Sequence, residues 1–158
     1  MKIAIGSDKS GFAVKEAVAA YLREQNIEFD DLGTTDPENV HPYYQVASEV
    51  AEELQKGAYD RAVLICGTGA GMSVVSNKFR GIHAVACEGV YSAKMARAIN
   101  NANVLCMGGW IVGPEMAVGM VKVFLGTEWC QDLEDWRAAN MHRFAARIEE
   151  IEDRVYGK

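Results

Sequence analysis

No run of apolar residues in this 158-residue chain approaches the ~20 that cross a bilayer. The opening Met1-Lys2-Ile3-Ala4-Ile5-Gly6 holds no apolar stretch of signal-peptide length and already reads as a strand and turn. A membrane partner is therefore not expected, and a cytoplasmic location is. Proline is scarce, at three residues, and no linker, internal repeat or low-complexity segment interrupts the chain. The four cysteines, Cys66, Cys87, Cys106 and Cys130, show no CxxC spacing and fall mostly inside apolar runs. They read as thiols kept reduced in a cytosol, not as a disulfide or zinc framework. Three scattered histidines, His41, His83 and His142, offer no metal-ligand spacing. Lys and Arg number 16 against 22 Asp and Glu, for a net charge of −6, and no basic block forms a nucleic-acid footprint. A small anionic ligand stays compatible, because a pocket can be basic on an acidic protein.

What remains is an ordinary globular composition, 49% hydrophobic and 24% charged, at the length of one domain spanning 1–158. Short β-branched runs alternate with amphipathic stretches. Strands are predicted at 2–7, 28–32, 62–66, 83–87 and 104–107, and helices at 12–24, 43–55, 72–78, 92–100 and 114–124. In the first helix Phe12, Val18, Tyr21 and Leu22 make an apolar face. A helical tail covers about 131–158, its periodic part 133–155. Continuous apolar strands such as Ala62-Val63-Leu64-Ile65 fit burial on both faces. The alternation predicts an α/β fold: a Rossmann-like, doubly wound, five-stranded parallel sheet with helices on both faces. Ligands of such folds bind beyond the carboxyl ends of the strands. The loops at 7–11, 33–41, 66–71, 87–91 and 108–113 are thus the places to look.

Cys66-Gly67-Thr68-Gly69-Ala70-Gly71 lies where a strand hands over to a helix. Three glycines let backbone N–H groups approach a ligand, and the helix start favours an anion or a developing oxyanion. Such a field also favours a thiolate, so Cys66 beside the loop has the equipment to take a proton next to a carbonyl. A plain phosphate-binding turn with Cys66 as a small buried residue fits the same letters. The loop is not a Walker A sequence, since no GKS or GKT follows. In Ser7-Asp8-Lys9-Ser10-Gly11, Asp8 is placed to orient a hydroxyl and Lys9 to hold a phosphate, or else Asp8 or Ser10 caps the next helix. Arg143 and Arg147, four apart, suit a phosphate clamp or a solvated face paired with Glu150. His41, in a loop at the ligand edge, is a further candidate. Asn100, Asn101 and Asn103 are explained by turn chemistry as readily as by ligand contact.

Taken in order, Gly6-Ser7-Asp8-Lys9-Ser10-Gly11, Ile65 through Gly71, Ser76-Asn77-Lys78, Tyr91-Ser92-Ala93, Asn100 through Leu105 and Gly108-Gly109 resemble the ribose-5-phosphate isomerase B and galactose-6-phosphate isomerase family. The likeness runs through about 1–126 and resumes at 143–151. It implies a homodimer or larger oligomer with active sites at the subunit interface, a phosphorylated small sugar as substrate, and neither metal nor cofactor. In the cysteine branch of that family a thiolate shuttles a proton between C1 and C2 through a cis-enediolate, which implies Cys66 as base. Another branch uses a Glu where this chain has Met72. Thr68 and the backbone of Gly67, Gly69 and Gly71 match positions that assist and stabilise the enediolate. Asp8 and Asn100 match substrate contacts, and Arg143 and Arg147 match the tail arginines that hold the phosphate.

The chain departs from the family pattern at four places. Asp8-Lys9 replaces Asp-His, Ile99-Asn100-Asn101 replaces His-Asn-Asp, Trp110 replaces an Arg, and Val40-His41-Pro42 replaces Asp-Tyr-Pro. The family His at position 99 is implicated in opening the sugar ring, and Ile cannot move a proton. A tetrose 4-phosphate has its O4 blocked, closes no furanose and needs no such residue. The resemblance implies ribose 5-phosphate/ribulose 5-phosphate interconversion first. Isomerisation of a tetrose 4-phosphate or hexose 6-phosphate, or non-catalytic phosphosugar binding, are the alternatives. A Rossmann oxidoreductase fits poorly, since no GxGxxG follows the first strand.

Overall fold

The computed structural model describes residues 1–157. Among them five strands, β1 (Ile3–Ser7), β2 (Phe29–Asp31), β3 (Arg61–Cys66), β4 (Ala84–Ala86) and β5 (Val104–Gly108), form one sheet. All pairings are parallel and the order is β2-β1-β3-β5-β4. The helices are α1 (Phe12–Glu24), α2 (Tyr43–Gln55), α3 (Ala70–Ser76), α4 (Val90–Ala98), α5 (Pro114–Gly126) and α6 (Asp135–Tyr156), and a 3₁₀ turn at Lys9–Gly11 precedes α1. No helix of the described residues is long and apolar enough to cross a membrane.

The period-two alternation of the strands sorts their side chains into two cores. Ile3, Ile5, Val63, Ile65, Leu105 and Met107 pack with Val18 and Leu22 of α1, Ala93 of α4 and Phe124 of α5. Ala4, Ala62, Leu64, Cys66, Val104 and Cys106 face Val46 and Val50 of α2 and Met72 of α3. Helices therefore cover both faces, and each Leu, Ile or Val buried in this way stabilises by roughly 1.5–3 kcal/mol. From β1 the chain crosses first to β2 on one side and then to β3 on the other. Such a reversal opens a crevice at the carboxyl ends of the two strands, here at Ser7 and Cys66.

The elements agree with the sequence pattern, with differences that have local causes. Helix α3 starts at Ala70, not at 72, because Gly69 adopts φ +77° and turns the chain directly into the helix. Strand β4 keeps three residues of the expected five, although the Cys87 N–H still donates to the Cys106 carbonyl at 2.9 Å. In α1, Phe12 and Tyr21 stay partly exposed, while Val14, Lys15, Val18, Ala19 and Leu22 are buried. Helix α6 has no buried residue.

Lys15 is the unexpected member of that stripe, with a side chain of zero exposure. A buried ammonium is tolerable when it is paired and its hydrogens are satisfied. Its Nζ meets the Asp31 carboxylate, donates to the Thr34 carbonyl at 2.7 Å and lies 3.2 Å from Glu16 Oε1. Replacing Lys15 by Met leaves Asp31 without its countercharge and should cost about 3 kcal/mol, the lower end for a broken buried pair because Asp31 retains some solvent contact. Urea denaturation measures it, and adding Asp31→Asn should recover part of the loss. A cost below about 1 kcal/mol, the size of an exposed pair, would show that Lys15 is not held as a buried ion.

Candidate active site

Cys66 ends β3, and hydrogen bonds from two directions hold it. Its carbonyl accepts from the Gly109 N–H at 2.7 Å, which ties it to the loop after β5. Its Sγ accepts from the Gly69 N–H at 3.2 Å, which sets the sulfur over the glycine loop. Gly69 can reach back only because its backbone is left-handed. A Cβ there would also lie 2.8 Å from the Met107 carbonyl carbon, so no other residue fits. The Thr68 hydroxyl accepts from the Ala70 N–H at 3.3 Å and is exposed. Since α3 begins at Ala70, its first-turn amides, which a helix cannot bond internally, gather at the same loop.

A cavity of about 280 Å³ opens here, lined by Asp8, Ser10, Tyr43, Cys66, Gly67, Thr68, Gly71 and Trp110. Cys66 is 5% exposed and reaches solvent through it. The other core thiols, Cys87 and Cys106, lie away from this cavity. Burial pushes Cys106 well above the ordinary cysteine value, and burial also raises Cys87 against a smaller opposing bond from Ser92. Both are held in the neutral form. Asp8 Oδ1 accepts from the amides of Ser10 at 2.9 Å and Gly11 at 3.1 Å, so it caps the 3₁₀ turn while its carboxyl borders the cavity. The capping reading of Asp8 is thus met, and its carboxyl is also within the cavity lining. Burial raises its carboxyl above the ordinary value, and the two amides oppose this.

The expected site residues divide into two groups. Cys66, Thr68, Asp8, Gly67 and Gly71 come together in the cavity, and Gly69 shapes its loop. Lys9, His41, Asn100, Arg143 and Arg147 are not among its lining residues. Lys9 is exposed in the turn beside Asp8. The His41 backbone is tied to Thr34, whose Oγ1 accepts from the His41 N–H at 3.0 Å, and its Nδ1 is buried without a partner. Asn100 opens on a second cavity of about 480 Å³ with Ile99, His83, Trp129 and the α6 residues Phe144 and Ile148. On α6, Arg143 donates to Asn140 at 3.0 Å and Arg147 to Glu150 at 2.6 Å, as a solvated face would have them. Tyr43, Ser10 and Trp110 are the lining residues that motif reading assigned no ligand contact. The available signal for Tyr43 was its place directly after Pro42, at the helix start facing the ligand edge.

The family described as Ribose/Galactose Isomerase matches residues 3–143. The chain belongs to that family. It is 46% identical over 158 residues to 4-deoxy-4-sulfo-D-erythrose isomerase of Clostridium sp. strain MSTE9, covering 100% of this chain and 99% of that one. It is 42% identical over 131 residues to D-erythrulose-4-phosphate isomerase 2 of Mycolicibacterium smegmatis, covering 82% of this chain and 86% of the relative. Among solved structures, ribose-5-phosphate isomerase B of Clostridium thermocellum superposes with a TM-score of 0.85 at 37% identity, over 98% of this chain and 99% of the other. An isomerase of this family on a Rossmann-like sheet is therefore established, as the ordered motifs implied.

The raised Asp8 carboxyl has a pH consequence. A carboxyl whose folded pKa lies above its unfolded value costs nothing while both states are protonated. The penalty grows as pH climbs past the unfolded value and is complete above the folded one. Asn at position 8 keeps an acceptor oxygen for the two amides and carries no charge. The stability of Asp8→Asn relative to the parent should therefore rise between about pH 3 and pH 6, across the carboxylate range. Urea midpoints at the two pH values test this, and a relative loss on raising the pH would contradict it.

Proposed function

We propose that this protein is an aldose–ketose isomerase for a four-carbon sugar with an anion at its far end, a sulfonate on C4 or a phosphate on O4, and that Cys66 is the base. The observation that carries the sugar's length is Ile99, an alkyl side chain at the family position for the ring-opening histidine. Opening a furanose requires a group that moves a proton at the ring oxygen, and the family position for it holds an alkyl side chain. A tetrose whose fourth carbon bears a sulfonate or a phosphate ester has no hydroxyl there to close such a ring. Its open-chain carbonyl needs no acid to release it. The names of two similar proteins, one acting on a sulfoerythrose and one on erythrulose 4-phosphate, support the same length. Ribose 5-phosphate, the first expectation from the family, is the competing substrate.

The proposed chemistry balances within the substrate. The Cys66 thiolate takes the proton from the carbon beside the carbonyl, and the C–H electron pair becomes the C=C bond of a cis-enediolate. The carbonyl oxygen gains the charge, and the amides of the Gly67–Gly71 loop that Cys66 Sγ and Thr68 Oγ1 do not already take stabilise it. Thr68, with its exposed hydroxyl, passes a proton between the two oxygens. The thiol then returns its proton to the neighbouring carbon. Asp8 holds a substrate hydroxyl, and Lys9, next to it, faces the anion.

Asn100, Arg143 and Arg147 enter this scheme through a homodimer with shared sites, since one protomer leaves them outside the Cys66 cavity. The unburied helix α6, with exposed Phe144, Ile148, Ile151 and Val155, supports a covered position in the assembly. Mixing Cys66→Ala and Arg147→Ala proteins, both inactive alone, should restore about a quarter of the activity after subunit exchange, because half the dimers are mixed and each regains one intact site. No recovery after verified exchange would mean that each site is built within one chain.

An NMR isomerisation assay over 4-deoxy-4-sulfoerythrose, erythrulose 4-phosphate, ribose 5-phosphate and a hexose 6-phosphate tests the substrate. One of the two four-carbon sugars should give the highest kcat/KM, and Cys66→Ala should lose at least about 100-fold, the range of general base catalysis. A clear preference for ribose 5-phosphate would sink the four-carbon reading. Binding without turnover on the whole panel would sink the isomerase.

A further inference from the structure

Trp110 is 75% exposed, yet it is not a loose surface side chain. Its backbone N–H donates to the Gly67 carbonyl at 3.0 Å, and the Gly109 N–H before it donates to the Cys66 carbonyl at 2.7 Å. The indole is thus mounted on the two residues that begin the glycine loop. Its six-membered ring covers Gly67 so closely that a Cβ there would lie 2.7, 2.8 and 2.9 Å from three ring carbons. At the other end of the loop Tyr43 covers Gly71 in the same way, with a Cβ at 2.8 Å from its ring. Both rings line the Cys66 cavity. The loop that faces the reacting carbons therefore runs between two aromatic walls, and the substrate has to fit between them.

We infer that Trp110 is a specificity-determining residue that sets substrate length, by walling the Gly67 end of the cavity with an apolar face. This rests on the four-carbon reading above for the sugar it admits. The physical basis is the loss of hydrogen bonds. The face of an indole offers a hydroxyl no donor and only a weak π acceptor, so an additional carbinol carried against it exchanges water for a nearly apolar surface. A short chain places only C–H edges there, which suit an aromatic face. Tyr43, half-exposed and hydroxylated, supplies a polar tip at the opposite wall and leaves Trp110 as the apolar one. Discrimination from such a wall is moderate, in the range a hydrophobic pocket achieves against an added polar carbon, about 10-fold or more.

The test is the ratio of kcat/KM for ribose 5-phosphate to that for erythrulose 4-phosphate, in the parent, Trp110→Ala and Trp110→Phe. Where ribose 5-phosphate turns over too slowly, its inhibition constant takes the place of its kcat/KM. The Ala variant should raise the ratio about 10-fold, and Phe, which keeps an aromatic wall, should move it by less than about threefold. Thermal melting should be nearly unchanged in both variants, as expected for an exposed side chain. A ratio that stays within about twofold in Trp110→Ala overturns the inference. So does a proportional loss of both activities, which would make the indole a support for the loop and nothing more. The parent's own preference tests the four-carbon reading separately, because the shift in ratio is read whichever sugar the parent favours.

Discussion

Main chain packs directly on main chain where the loops after β1, β3 and β5 meet, and the geometry of the candidate site depends on that contact. A Cβ on Gly11 would lie 2.4 Å from the Ile65 oxygen, and one on Gly108 would lie 2.8 Å from the Gly67 oxygen. No side chain fits at either point without moving backbone. The loops are also stitched together, from the Asp8 N–H to the Ile65 carbonyl at 3.3 Å and from the Gly109 N–H to the Cys66 carbonyl at 2.7 Å. Cys66 is consequently held by the sheet on one side and by the junction on the other. The proton-transfer role proposed for Cys66 would benefit from that, since displacement by even an ångström is costly to a reaction that relies on alignment.

A second chain of contacts starts in the core and ends at the cavity wall. The buried Lys15 ammonium fixes the Thr34 carbonyl, and the Thr34 N–H is bound to Ser7 at the end of β1. Thr34 Oγ1 then accepts from the His41 N–H, so the entry and exit of the 34–41 loop are joined at one residue. Two residues further on, Tyr43 begins α2 with its ring on Gly71. The loop can vary in its exposed middle without moving Tyr43, because its ends are pinned and closing a loop of this length takes little further entropy once they are.

The periodic elements were legible in the sequence because local pattern and tertiary burial agree in them. Helices α1 and α2 have the bounds that spacing predicts, and Cys66 falls at the end of β3 as its apolar run implies. The strand order was not legible, since parallel strands joined by helices pair with partners the local pattern does not name. Lys15 was hidden for a different reason. A lysine at helical spacing reads as solvated, and only the meeting of α1 with Asp31 and Thr34 makes its burial tolerable. The site was legible where its parts are consecutive, from Cys66 to Gly71. It was not legible for Tyr43, which reaches the glycine loop from another element, nor for the placement of Asn100 and the α6 arginines relative to Cys66.

Isomerisation touches only two adjacent carbons, and this asymmetry explains how one site architecture serves sugars of different size. The similar proteins named for a sulfoerythrose, an erythrulose phosphate and ribose 5-phosphate share the problem of moving one proton beside a carbonyl. In the proposed mechanism Cys66, Thr68 and the loop amides address that problem and are indifferent to the rest of the sugar past its third carbon. That remainder is a handle, and a handle matters in two ways: whether it can close a ring, and what it lies against. Ile99 bears on the first and Trp110 on the second. A fourth carbon that carries an anion cannot cyclise, so the site needs no acid for ring opening, and an alkyl group at position 99 then carries no catalytic penalty. A fifth carbon restores the ring and adds a hydroxyl to be satisfied against the indole. On the proposed reading both departures from the family pattern act in the same direction, towards the shorter chain.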